Sequence, residues 1–318
     1  DIIRSINNKS IKGIRDSLKL ICIGSNSPTI NRNINDRILT GPFGSVTMIL
    51  ENDGGQKQIT INRNLSYTDY NLLAADNSPI WKVINFNGNQ FGYIDMGRLE
   101  VSDIDKMFGD LWDTDAIVFD IRNYPKGTLW YLIKDLFPAP INIARFTSPD
   151  INYPGTLSLF SETIGFGPFT RVYNNDIYIL FDETTQSQAE YTVMGLEQHQ
   201  KSLKIGSQTA GADGNVSYIY LPGGIGTVFT GLGVFYPDGT PTQRIGIVPD
   251  IEVHPTIKGI REDKDEVLET ALKIKNPKPI EESYSFFAYN YPNPFSEETI
   301  IELTIPQKEN VSVRIFNI

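Results

Sequence analysis

A serine follows an apolar run in Ile177-Tyr-Ile-Leu-Phe181-Asp-Glu-Thr-Thr-Gln-Ser187-Gln-Ala-Glu190. The apolar run reads as a buried strand, and the residues after the serine read as a helix start. At that junction a hydroxyl is well placed for nucleophilic attack. The helix end offers backbone N–H groups and positive potential to a developing oxyanion. The same spacing, Ser187-x-x-Glu190, is also that of a capping box, in which the two residues only close the helix end. From this segment alone, both readings stand, and the cap is the commoner one.

Other chemistry is sparse. One cysteine (Cys22) and two histidines (His199, His254) exclude Cys/His zinc sites and leave no Cys-His pair worth pursuing. No cofactor or metal is expected. Gly223-Gly224-Ile-Gly226 lacks a phosphate-loop lysine and reads as a β-turn. Asp120-Ile-Arg122 reads as an internal ion pair, and Asp95 and Asp120 as solvated strand ends. Trp112 and Trp130 read as core, His199 as a surface residue, and His254 as structural. The formal charge of −10 and a pI near 4.8 disfavour nucleic acid, which needs clustered Lys and Arg. No run approaches the roughly 20 apolar residues that span a bilayer.

The elements that must hold Ser187 alternate. Phe91–Asp95, Ala116–Asp120, Asp176–Phe181 and Leu203–Gly206 read as strands. Ile104–Leu111, Leu129–Leu136 and Glu190–His199 read as helices. This is an α/β pattern with a sheet covered by helices. A β-rich stretch (217–253) and an amphipathic helix (263–274) follow. Residues 1–66 read as a small β-rich unit with a turn at Asn7-Asn8 and a hairpin around Asn52-Asp53-Gly54-Gly55. Asp1-Ile-Ile-Arg opens in mid-strand, so the chain is expected to be a fragment. Residues 276–286 are a Pro-rich, charged linker, and 287–318 begin a β-sandwich.

Several motifs, in order, resemble C-terminal processing (tail-specific) serine peptidases and their tricorn-core relatives. Thr185-Gln-Ser187-Gln-Ala-Glu190 is similar to their "T-A-S-A-S-E" nucleophile motif. Asp120-Ile-Arg122-Asn123-Tyr-Pro-Lys126-Gly127 resembles the "D-L-R-x-N-x-G-G" loop, which supplies an oxyanion amide there. Ile205-Gly206-Ser-Gln-Thr209-Ala-Gly211 resembles "V-G-x-x-T-x-G-K-G", and Gly246-Ile-Val-Pro249-Asp250 resembles "G-V-x-P-D". The resemblance implies a mixed sheet covered by helices, of the ClpP/crotonase-like peptidase kind, over residues 67–275. It implies a Ser187 acyl-enzyme acting on polypeptides, with oxyanion amides from Gly127 and Gln188.

The base departs from the family pattern. Those peptidases carry a lysine 25 residues after the serine, where this chain has Ala212. Tricorn-type relatives use a glutamate shortly before "G-V-x-P-D" and an earlier histidine; here Gln243 and Arg244 stand near that place, and no early histidine exists. Three outcomes stay open. Glu190, with Asp213, serves through a water or a rearranged network; Lys126 supplies the base from a new position; or the domain binds peptides without cutting them, as the family's retinoid-binding relatives bind ligand.

Two flanking resemblances complete the reading. The opening strand and Gly41–Leu50 resemble strands of PDZ domains, so residues 1–66 are expected to be a PDZ-like unit that recruits substrate by strand addition. Tyr289-Asn-Tyr-Pro-Asn-Pro-Phe-Ser-x-x-Thr-Ile resembles the start of the type IX secretion sorting domain. That implies a secreted or surface protein that engages secretion machinery through its tail.

Overall fold

The computed structural model describes residues 1–66 and 78–274, together with the backbone of two strands near the C-terminus. The chain divides into two compact units, 1–275 and 276–318.

The first unit opens with β1 (Ile2–Ile6), β2 (Lys9–Ser10), α1 (Ile11–Leu18), α2 (Ser27–Ile38), β3 (Gly44–Asn52) and β4 (Gly55–Arg63). The strands form an antiparallel sheet in the order β2-β1-β3-β4. Asn7 and Asn8 turn the first hairpin at φ 46° and 63°, the left-handed region that asparagine tolerates better than most side chains. Helix α2 is not evident from sequence: its Asn31, Asn33 and Asn35 are poor helix formers, and they mask the narrow stripe of Ile30, Ile34 and Ile38.

The central elements are β5 (Trp81–Phe86), β6 (Asn89–Asp95), α3 (Ile104–Leu111), β7 (Ala116–Asp120), α4 (Leu129–Leu136), β8 (Ile141–Pro149), β9 (Leu157–Ile164), β10 (Asp176–Phe181), α5 (Gln188–Leu196) and β11 (Ser202–Gly206). Then come β12 (Val216–Leu221), β13 (Ile225–Thr230), β14 (Val234–Phe235), β15 (Ile251–Glu252), α6 (Ile257–Arg261) and α7 (Glu266–Lys273). Six strands make one mixed sheet in the order β15-β11-β10-β7-β6-β5, parallel throughout except for the β5–β6 pair. Both of its faces are covered, which is why β7 and β10 are apolar runs without alternation. Ile177, Ile179 and Phe181 face a core built with α3, α4 and α5. Tyr178 and Leu180 face a second core that α7 closes with Val267, Ala271 and Leu272.

Two smaller sheets stand beside it. One is β14-β8-β9, and the other is the β12–β13 hairpin, whose turn contains Gly223 and Gly224. The β8–β9 hairpin escapes a sequence reading because Leu157, Leu159 and Phe160 are exposed and blur the in–out alternation. In the second unit, β16 (Phe287–Tyr291) pairs antiparallel with β17 (Ile300–Thr304). The Pro-Asn-Pro-Phe part of the sorting motif lies outside the described residues.

Candidate active site

Ser187 stands where the sheet hands over to α5. Strand β10 ends at Phe181, and the connecting turn is pinned before it reaches the serine. The Thr185 hydroxyl donates to the Ile121 carbonyl at 2.8 Å, and the Ala210 N–H donates to the Thr185 carbonyl at 3.0 Å. Ser187 itself has φ 56° and ψ −123°, an unfavourable conformation for a residue with a Cβ. Such strain costs on the order of 1–3 kcal/mol and collects at functional sites, where surrounding structure holds it. The turn places Ser187 at the N-cap of α5, on the wall of a cleft of about 340 Å³.

Glu190 holds this turn to the loop that follows β11. Its Oε1 accepts from the Thr209 hydroxyl at 2.5 Å and the Gly211 N–H at 2.7 Å. Its Oε2 accepts from the Ala212 N–H at 2.9 Å and the Ser187 N–H at 3.2 Å. The side chain is fully buried. Burial pushes its carboxyl up, against the pull of those four donors. With both oxygens engaged, Glu190 is a clamp between the nucleophile turn and the 209–212 loop. The hydroxyl of Ser187 has no hydrogen bond to an ionisable side chain among the described residues.

The structure does not bring Lys126 to Ser187. Its ammonium pairs with Glu100 at 2.5 Å and is half exposed. The next residue, Gly127, turns at φ +70°, and a Cβ there would lie 3.5 Å from the Gln188 side-chain amide. Gly127 and Gln188 are therefore neighbours at the mouth of the site, and Gln188 is the first residue of α5. Helices leave their first N–H groups without intrahelical partners.

The loop carrying Lys126 and Gly127 is fixed from below by Arg122. Its guanidinium meets Asp120 at 2.6 Å and Asp265, the N-cap of α7, at 2.7 Å. The Asp120–Arg122 ion pair expected from sequence is thus extended to a third residue. Asp95 pairs with Arg98 at 2.6 Å. No group of acidic, His or Cys side chains among the described residues is arranged to hold a metal.

The cleft has an aromatic wall. Trp130, Phe146, Phe160 and Tyr191 line it, with Trp130 stacked on Tyr191 at 5.4 Å and Phe146 on Phe160 at 5.7 Å. Trp130 packs against the core yet also faces the cleft, so reading it as core alone is half the answer. Glu162 and Asp213 are the acids on this wall. Asp213 is buried; its Oδ1 accepts from the Gly214 N–H at 2.7 Å, and its Oδ2 has no hydrogen-bond partner among the described residues.

His199 is not a surface residue. Its ring is buried, with Nε2 3.0 Å from the Tyr173 carbonyl, and burial lowers its pKa. It lies beyond the far end of α5, roughly 1.5 Å per residue away from Ser187 along the axis. His254 is exposed and pairs with Glu252 at 2.9 Å.

Sequence reading missed a support from helix α2. Asn26, the N-cap of α2, donates from Nδ2 to the Thr209 carbonyl at 2.8 Å and the Ile245 carbonyl at 3.1 Å. The Thr29 hydroxyl donates to the Ala210 carbonyl at 2.8 Å. Arg32 reaches the Glu183 carbonyl at 2.9 Å and the Gln186 side chain at 3.0 Å. One helix therefore grips both loops that Glu190 joins.

Comparison with known proteins agrees with this geometry. A 148-residue stretch is 26% identical to the chloroplastic C-terminal processing peptidase of Tetradesmus obliquus, covering 45% of this chain. The match spans 29% of that enzyme's length. Mature CPAF complexed with lactacystin shares the fold at TM-score 0.67 and 15% identity, over 85% of this chain and 76% of that one. The model of peptidase family S41 matches residues 90–253, the segment that carries the mixed sheet, the Ser187 turn and the Glu190 clamp. The chain belongs to peptidase family S41.

Proposed function

We propose that the protein is a serine endopeptidase that hydrolyses polypeptides through a Ser187 acyl-enzyme. The observation that carries this reading is the strained Ser187 turn, held at the N-terminus of α5 and open to a cleft. A residue that merely caps a helix needs no positive φ. Gly127 and Gln188 are the oxyanion donors in this reading, being neighbours at the same mouth. The aromatic wall suits a substrate with a large apolar side chain near the cut bond.

The flanking segments extend the proposal. The β2-β1-β3-β4 sheet acts as a PDZ-like unit that recruits an extended peptide. The Tyr289–Phe295 motif directs export to the surface or the medium through a type IX sorting domain.

A second reading has its own support. Ala212 stands where the family carries its lysine, and among the described residues the Ser187 hydroxyl has no hydrogen bond to an ionisable side chain. Both favour a non-catalytic peptide binder on the same scaffold. Fluorophosphonate labelling of Ser187, with Ser187→Ala as control and casein turnover alongside, separates the two. Labelling and turnover that vanish together in the variant support the peptidase. A folded, unlabelled wild type leaves the binder.

A further inference from the structure

The peptidase reading needs a base, and the clamp geometry singles one out. Glu190 Oε2 accepts from the backbone nitrogens of both Ser187 and Ala212, at 3.2 and 2.9 Å. One oxygen therefore holds the nucleophile turn beside the residue that precedes Asp213. The Asp213 carbonyl accepts from Gln243 Nε2 at 2.8 Å, and the same amide donates to the Leu232 carbonyl at 2.8 Å. The loop is fixed from both sides. Asp213 then lines the same cleft as Ser187, with Oδ1 tied to the Gly214 N–H.

Oδ2 is the informative atom. It is buried without a hydrogen-bond partner among the described residues. An unpartnered carboxylate oxygen costs stability and calls for a reason. We propose that Asp213 is the general base for Ser187, its free Oδ2 taking the serine proton directly or through one water. This rests on the peptidase reading and replaces both Glu190 and Lys126 in the role. Glu190 has no free acceptor, Lys126 is paired outward with Glu100, and the half-buried Glu162 is carried by β9 rather than by the clamped loop.

The groups facing Asp213 explain why it suits the task. Its carboxyl is raised to about 7: burial pushes it up, the Gly214 N–H pulls it down, and the charge of Glu190 on α5 adds to the rise. Tyr191 on α5, Tyr124 and Glu162 are the other titratable groups on the cleft, and Gln243 and Asn215 are neutral. Lys204, the nearest cation along the chain, pairs with Glu197 at 2.9 Å, and Arg244 is exposed. Among the described residues, no cation on the cleft wall offsets the burial. A base near neutrality is matched to proton transfer at physiological pH.

The steps balance. Asp213 accepts the Ser187 proton as Oγ bonds to the substrate carbonyl carbon. It returns that proton to the leaving amine nitrogen as the C–N bond breaks. It next takes a proton from the incoming water, whose oxygen attacks the acyl carbon. Finally it reprotonates Oγ as the acid product leaves.

The test is the rate of fluorophosphonate labelling at Ser187, followed from about pH 5 to about pH 9. Wild type is expected to label faster as pH rises, with a midpoint near 7. Asp213→Asn is expected to lose at least about 100-fold and the pH step with it. Asp213→Ala with added formate should regain about tenfold or more, while equal chloride restores nothing; a purely structural role would not produce such rescue. Melting temperatures confirm that the variants are folded. A labelled wild type with Asp213→Asn equally fast and unchanged in pH profile overturns the base assignment alone. A folded wild type unlabelled at every pH overturns the peptidase reading and the base with it.

Discussion

The backbone N–H of Ser187 donates to Glu190 Oε2 at 3.2 Å, so the acid three residues on positions the nucleophile's main chain rather than its hydroxyl. This changes what a Ser-x-x-Glu spacing means here. The carboxylate is an organiser with four donors, and the serine's reactivity must come from elsewhere.

Glu190→Gln tests the clamp. A glutamine keeps one acceptor oxygen and turns an NH2 group toward two of the four donors, leaving buried N–H groups unsatisfied. Hydrogen bonds to a buried charge are worth about 1.5–3 kcal/mol each, and orphaned donors add their own desolvation cost. The variant should lose about 3 kcal/mol in urea unfolding and most of its labelling. A loss under about 0.5 kcal/mol, the size of an ordinary surface change, would contradict the clamp.

How far this was legible depends on which atoms set each feature. The strands β7 and β10 were readable because both sheet faces are covered, which leaves apolar runs. The helix start after Ser187 was readable because capping chemistry is local. Helix α2 was not, because Asn26, Thr29 and Arg32 bond to residues more than 150 positions away. His199 looked like a surface residue, but the Tyr173 carbonyl gives its ring a buried partner. Trp130 was assigned to the core by type, and only the β8–β9 hairpin, itself unseen, turns its surroundings into a cleft wall. Lys126 is a candidate because it lies in the segment that resembles the oxyanion loop; Glu100, a residue with no motif around it, draws it outward.

Asn26 offers a separable test of the α2 grip. Its Oδ1 caps the helix through the Thr29 N–H at 3.0 Å, while its Nδ2 holds the Thr209 and Ile245 carbonyls. Asn26→Asp keeps an acceptor for the cap but sets a carboxylate against two carbonyl oxygens. Asn26→Ala loses both functions, at about 2 kcal/mol. Labelling of Ser187 should fall in both variants, and α2 should fray in the alanine variant only. Hydrogen exchange across 27–38 and 207–212 distinguishes the two effects. Unchanged exchange at 207–212 in Asn26→Asp would rule out the grip.

Phe160 tests the aromatic wall. It is 45% exposed and stacks on Phe146, so truncation removes cleft surface with little core behind it. Phe160→Ala should change stability by less than about 1 kcal/mol. It should lower kcat/KM about tenfold for peptides with a large apolar residue beside the cut bond, and leave small-residue peptides nearly untouched. Equal loss on both peptides would remove the wall from substrate selection.

Asp213 carries a stability cost whose sign follows from its burial. The carboxyl sits at about 7 in the folded chain, against an ordinary 3.8. The folded state therefore prefers the protonated acid. The favourable contribution is complete below about pH 3.8 and disappears as pH rises to about 7. Asp213→Asn has no charge to bury and escapes that loss. The variant should match wild type near pH 4 and become progressively more stable up to about pH 7, where the difference levels off. At about 1.4 kcal/mol per pH unit, the gap bounds the gain at about 4 kcal/mol. Urea unfolding at several pH values measures it directly. A variant that grows less stable than wild type as pH rises would mean that the carboxylate gains a favourable partner when it ionises. The unpartnered Oδ2 predicts the opposite: a more stable protein with a slower serine.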